Sequence, residues 1–184
     1  MKKILSTLLA FVMLATTIFA VPFSAQAEVK YPEASGTLLS GQTFTYDSTT
    51  ETLTISGEGA ITGYNWTGEN VSPFEYCTVK HIVIEEGITS LCNYLFHYVY
   101  GIESFSIPAS VTTIQVYAMS YATFVGGAGK GFTVAEGNES FCADNGTLYN
   151  KSKTKLIKYV NSGLTEFTVP ETVSSIEQEA FYKD

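Results

Sequence analysis

Residues 102–114 read IESFSIPASVTTI, and the chain holds this stretch in altered form twice more, as VKHIVIEEGITSL at 79–91 and LTEFTVPETVSSI at 164–176. Set in register without a gap, the three copies share large apolar residues at five positions. The first holds Val79, Ile102 and Leu164; the fourth Ile82, Phe105 and Phe167; the sixth Ile84, Ile107 and Val169. The tenth holds Ile88, Val111 and Val173, and the thirteenth Leu91, Ile114 and Ile176, always preceded by two Ser or Thr residues. The period-two spacing of the fourth and sixth positions predicts a short strand with one buried face. A repeated unit of this size predicts stacked coils, because one unit cannot bury its own apolar face.

Outward from the cassette, each copy is followed by an adjacent apolar pair: Leu95-Phe96, Ala118-Met119 and Ala180-Phe181. The expected unit is a strand, a turn, a second short extended stretch, and a short helical or irregular return. Ile82, Phe105, Phe132 and Phe167 lie 23, 27 and 35 positions apart, so insertions are expected in the later units. The unit at Phe132-Thr133-Val134 is degenerate, with Asn138 where the others carry Ile or Val. After it, Gly146–Tyr149 and Lys155–Tyr159 flank a polar loop and read as an inserted β-hairpin. The final unit reaches Asp184 with no cap, so its apolar layer is expected either to be covered by another molecule or to continue in a longer protein.

At the other end, Lys2 and Lys3, the apolar run Ile4–Ala20 and Ala25-Gln26-Ala27 form a secretory signal peptide pattern. Glu28–Gln42 shows little periodicity. Phe44 and Tyr46, then Leu53 and Ile55, alternate around Asp47–Thr50 and predict a β-hairpin, placed to cap the first coil. Trp66, in a Gly- and Pro-containing loop, is expected to pack on that cap. The expected organisation is residues 1–27 as signal peptide, 28–76 as leader and N-terminal β cap, and 77–184 as repeats with a hairpin inserted at about 142–163. The fold class is a mostly β repeat solenoid, leucine-rich-repeat-like, with an N-terminal β-hairpin cap.

Composition narrows the function. The formal charge is −8 and all ten basic residues are Lys. Neutralising phosphates needs a basic face, so nucleic acid and anionic membranes are disfavoured as partners. Cys77, Cys92 and Cys142 are an odd set, read as small buried residues rather than a disulfide framework. Cys77, His81, Cys92 and His97 have a suggestive metal spacing, but His81 has the outward strand parity, so convergence on zinc is not expected. Glu136, Glu139 and Asp144 share a loop that lacks the dense oxygen ligands of a calcium site. No carboxylate pair faces another across a cleft in the pattern, and the expectation is no cofactor, no metal and no catalysis.

The phrase I-x-I-P-x-x-V-T-x-I, carried by residues 105–114 and 167–176 and completed by Ala180-Phe181, resembles the BspA-like leucine-rich repeats of bacterial surface and secreted proteins. The resemblance covers most of 44–184 and departs from the pattern at Asn138. It implies a right-handed solenoid, a secreted or extracellular cell-surface location, and adhesion or protein–protein binding, without catalytic residues. It also implies a bacterial source, in which the sequons at Asn65, Asn70, Asn138 and Asn145 carry no glycan. Tyr94, Tyr98, Tyr100, Tyr117 and Tyr121 in the return segments form the candidate protein-binding patch, since tyrosine gives contact area at low entropic cost. The alternative is that they pack between coils. The alternative at the level of function is an accessory repeat portion of a longer exported enzyme acting on polysaccharide or protein.

Overall fold

The computed structural model describes residues 29–163 and 165–182. The expected signal peptide, Leu164 and the last two residues lie outside them. Among the described residues the regular structure is entirely β. β2 (Thr43–Asp47) and β3 (Thr52–Ser56) form the expected hairpin, with Phe44 opposite Ile55 and Tyr46 opposite Leu53. The stretch before it is more ordered than its composition suggests, because β1 (Ser35–Thr37) adds to β2 in antiparallel register.

From β3 onward the pairing turns parallel. β5 (His81–Ile84), β7 (Ser104–Ile107) and β9 (Gly131–Val134) stack on β3 in that order, completing one six-stranded sheet. A second, three-stranded sheet runs through β4 (Gly59–Ala60), β6 (Ile88–Leu91) and β8 (Thr113–Ile114). The chain thus winds through three coils, 52–77, 79–100 and 102–125. The second strand of the hairpin is already the first rung of the solenoid, and only β1 and β2 lie outside it.

The cassette supplies the core of these coils. Ile82, Ile88, Leu91, Phe105 and Val111 are fully buried. Phe74, Phe96 and Phe105 contact one another in succession, with ring centroids 6.0 and 5.2 Å apart. Backbone carbonyls pin each coil to the next. Glu51 O accepts from the amides of Lys80 and His81, Lys80 O from those of Glu103 and Ser104, and Glu103 O from Gly131. The side chains of Glu51, Lys80, Glu103 and Lys130 alternate in sign along this edge, with ion pairs Lys80–Glu51 and Lys130–Glu103. Glu86 adds a further link, its carboxylate accepting from the amides of Ala109 and Ser110 in the next coil, which holds it below the usual carboxylate range.

Among the described residues the returns take the irregular of the two expected forms, as tight turns without a helix. One expectation fails after β9: the last cassette does not extend the large sheet, Phe167-Thr168-Val169 forms no strand, and Val169 and Ile176 are exposed. The cause is the insertion. β10 (Phe141–Asp144), β11 (Thr147–Asn150) and β12 (Lys155–Lys158) form an antiparallel meander, and β12 pairs in parallel with β13 (Ser175–Ile176). The meander's first turn occupies the open edge of β9, where Phe132 N–H donates to Gly146 O at 2.9 Å. The two backbones are so close that a Cβ on Gly131 would lie 2.5 Å from that carbonyl oxygen. Asn145 and Gly146 both have positive φ, 48° and 77°, as a type I′ hairpin turn requires. Phe167 packs instead in a small second core with Tyr149, Leu156, Tyr159 and Ala180.

Asn138 is the hinge of this change. It is fully buried at the position where the other cassettes carry Ile or Val. Its Nδ2 donates to Pro108 O (2.7 Å) and Val111 O (2.9 Å) in the preceding coil. Its Oδ1 accepts from the amides of Ser140 (2.8 Å) and Phe141 (2.7 Å) at the start of the insertion. The apparent defect in the repeat is therefore a fully satisfied buried amide. Replacing it by an apolar residue of similar size, Asn138→Leu, leaves these groups without their partners. Urea unfolding is expected to show a loss of roughly 3 kcal/mol; equal or higher stability of the variant contradicts this role.

Candidate functional site: a tyrosine face on the return segments

Each return closes with the same pair of turns. The amides of Glu75, His97 and Ser120 donate to the carbonyls of Ser72, Tyr94 and Tyr117. Those of Cys77, Val99 and Ala122 then donate to Phe74, Phe96 and Met119. The third residue of the second turn is Tyr76, Tyr98 or Tyr121, with φ of 63°, 52° and 56°. Gly or Asn normally fills such a left-handed position. For any other L-residue it costs about 1–2 kcal/mol.

Because the coils stack in register, these tyrosines stack as well. Tyr76 and Tyr98 have centroids 5.0 Å apart and planes within 15°; Tyr98 and Tyr121 are 4.9 Å apart and within 13°. Tyr182 meets Tyr121 edge-on at 5.0 Å. A second row runs alongside, with Tyr94 stacked on Tyr117 at 5.8 Å. His97, buried, touches both rows, 5.5 Å from Tyr94, 4.3 Å from Tyr98 and 5.7 Å from Tyr121. Tyr100 joins through Tyr98 at 6.4 Å. The five tyrosines singled out in the sequence are thus brought into one aromatic cluster. The sequence reading missed Tyr76 and Tyr182, although Tyr76 precedes Tyr98 by nearly the interval that separates Tyr98 from Tyr121.

Stacking of an aromatic pair contributes about 0.5–1.5 kcal/mol. Two stacked pairs therefore do not offset three left-handed backbones. The rings remain partly open to solvent, with Tyr76 51% and Tyr121 36% exposed. Burial, then neighbouring phenols, then Glu75 push the Tyr98 and Tyr100 hydroxyls above the ordinary phenol range, so they stay neutral donors. Two carboxylates near the rows are held by hydrogen bonds. Glu75 Oε1 lies 3.0 Å from His97 Nδ1. Glu179 accepts from Tyr121 N–H (3.2 Å) and Ser120 Oγ (3.3 Å), and its carbonyl accepts from Lys158 Nζ (3.0 Å).

Glu179 also shows how the face continues past the insertion. The return at 178–182 belongs to the last cassette yet lies directly on the return at 117–121. Tyr117 Oη donates to Gln178 Oε1 at 3.0 Å, beside the two bonds to Glu179. The meander diverts the chain after Phe141, so no return from the fourth unit intervenes.

The other candidates separate. His81 Nδ1 pairs with Ser104 Oγ at 2.8 Å on the outer sheet face, whereas Cys77 and Cys92 are buried thiols in the core. Burial raises both thiols above their ordinary range. Among the described residues no three His, Cys, Asp or Glu side chains converge on a metal-sized site. Asp144 pairs with Lys153 at 2.7 Å, and Glu136 and Glu139 are exposed. Trp66 does not pack on the hairpin but is 62% exposed. The inner place is taken by Tyr64, buried, with its hydroxyl accepting from Leu39 N–H at 3.2 Å. Among the described residues no helix is long and apolar enough to cross a membrane.

Parallel coils, irregular returns and a repeated apolar layer define a leucine-rich-repeat-like β solenoid. Residues 67–125 and 153–184 match the family described as BspA type leucine rich repeat region (6 copies). These two segments carry BspA-type leucine-rich repeats. The crystal structure of the pneumococcal vaccine antigen PcpA is similar, with a TM-score of 0.52 and 25% identity over 60% of this chain and 27% of that one. A leucine-rich repeat protein from Eubacterium ventriosum aligns with a TM-score of 0.46 and 21% identity over 81% of this chain and 57% of its own. The chain therefore spans about a quarter of the first and just over half of the second. No curated protein matches it.

The left-handed assignment can be tested at the exposed end of the row. Tyr76→Ala and Tyr76→Gly both remove the ring, but only alanine keeps the backbone cost. In urea unfolding the glycine variant is expected to be the more stable by about 1 kcal/mol; an alanine variant of equal stability contradicts a positive φ at this position.

Proposed function

We propose that this chain is a secreted or cell-surface repeat protein that binds other proteins, in adhesion or a related contact, through the tyrosine face of its returns. The signal peptide pattern at residues 1–27 supports export, and the family and the PcpA likeness support a surface or secreted setting. The observation that carries the binding role is the row Tyr76–Tyr98–Tyr121. Three successive coils place tyrosine where glycine relaxes the backbone, and leave the rings partly in solvent. Left-handed strain of this kind concentrates at functional positions. Tyrosine is enriched at protein interfaces because a large, stiff ring buries area with little entropy lost. The role is one of recognition and needs neither cofactor nor catalytic residue.

Two measurements test it. The exported protein is expected to begin at Glu28 by intact mass, in the medium or at the cell surface; retention in the cytoplasm overturns the location. For binding, the wild-type chain and a Tyr76→Ser/Tyr121→Ser variant are compared in pull-downs from bacterial and host surface extracts. Proteins captured by the wild type are expected to be lost or reduced about tenfold with the variant, the scale of a lost aromatic anchor. Equal capture by both, with the variant folded by circular dichroism, contradicts a tyrosine binding face.

A further inference from the structure

The insertion creates a second concave feature, which uses none of the tyrosines of the return face. A cleft of about 290 Å³ lies between the meander and the last cassette, lined by Thr147, Tyr149, Tyr159, Asp144, Glu166 and Phe167 among others. We infer that this cleft is a carbohydrate site that takes an uncharged pyranose ring. The inference stands apart from the binding role proposed above and does not depend on it.

Hydrogen bonding is the first argument. Thr147 and Tyr149 are each 2% exposed and Tyr159 9%, yet among the described residues no partner holds their hydroxyls. Tyr46 Oη is the one buried side-chain polar atom, among the described residues, that is unpartnered and also sealed from solvent. The three hydroxyls therefore open to the cleft that they line. Burial, then Asp144, raises the Tyr149 phenol, so it stays an O–H donor in need of an acceptor. The carboxylates of Asp144 and Glu166 need the reverse, a donor. A sugar hydroxyl donates and accepts, and so meets both sets; an ammonium group only donates and leaves the phenols unmet.

Charge is the second argument. Asp144 is paired with Lys153, whereas Glu166 has no ion pair among the described residues. The cleft is left with negative charge in excess, which disfavours acidic sugars and phosphates. Shape is the third. Half-buried Phe167, packed on Tyr159 with centroids 4.4 Å apart, and Pro170 supply an apolar wall for the C–H face of a ring. The volume lies at the small end of ligand sites, which run from roughly 300 to 1,000 Å³, and suits one ring. A neighbouring cleft of about 450 Å³ shares Asn145 and Ser162, and its cation, Lys130, is paired with Glu103. It leaves room for the next sugar of a chain.

The test titrates the secreted chain with the methyl glycosides of glucose, galactose, mannose and N-acetylglucosamine. Sorbitol, methyl glucuronide and the peptide Gly-Ser-Gly serve as acyclic, anionic and amide controls. Ring resonances of Tyr149, Tyr159 and Phe167 report the site and give the affinity. At least one glycoside is expected to bind about tenfold more tightly than every control and to shift these signals while leaving Tyr98 unmoved. Tyr149→Phe keeps the buried ring and removes only the hydroxyl; it is expected to weaken that glycoside about three- to tenfold. Glu166→Gln is expected to narrow the gap between the glycoside and the glucuronide. Both variants are checked for folding by circular dichroism. Glycosides bound no tighter than the controls, or binding that neither variant changes, overturn the inference. Shifts confined to the return tyrosines overturn it too, since they move the sugar to the face assigned above to protein.

Discussion

No coil of this protein can bury its own apolar layer, and the rest of the structure follows from that constraint. Ile82 and Phe105 reach full burial only because the neighbouring coil lies within strand-pairing distance. Carbonyls such as Glu51 O and Lys80 O, each accepting two amides of the next coil, hold that distance and fix the register. Register then propagates beyond the sheets. Once the strands are stacked, the turns that close the returns are stacked too, and any residue type repeated at one turn position becomes a row. The tyrosine face is a consequence of core packing that the turn residues have turned to use.

The insertion shows how the same constraint tolerates an interruption. The fourth unit starts as the others do, with Phe132 packed on Phe105 at 5.3 Å. It then leaves the pattern at Asn138, whose side chain supplies the hydrogen bonds that tie the departing chain to the coil before it. The meander closes the edge of the large sheet through Gly146 and starts a second, smaller core around Tyr159 and Phe167. Since it also carries the chain away from the return side, the last return settles directly on the third coil's. An insertion that breaks the sheet thereby preserves the face.

The sequence was most legible where burial dictates residue type. The apolar positions of the cassette located β5, β7 and β9, and alternation located the β2–β3 hairpin. It was least legible where polar groups replace apolar ones or the backbone leaves common regions. Asn138 reads as a defect until its four partners are seen. Phe167 and Val169 carry a good strand pattern but lose their sheet edge to a turn encoded far away, a competition local pattern cannot register. The Asn145-Gly146 pair was a readable hairpin signal that would have shown the insertion to be three-stranded. The adjacent apolar pair left a helical or an irregular return open; two tight turns with left-handed tyrosines direct the pair inward without a helix. Of the site, the tyrosines were legible as a cluster, while their stacking required the register.

The continuity of the tyrosine face across the insertion is the claim on which the fold and the proposed role both depend. Nuclear Overhauser contacts between the rings of Tyr121 and Tyr182 test it most directly. The account predicts strong ring-to-ring contacts there, since the centroids lie 5.0 Å apart. Their absence, with Tyr182 contacting residues of β10 or β11 instead, would show that the last return stacks on the insertion and that the face ends at Tyr121.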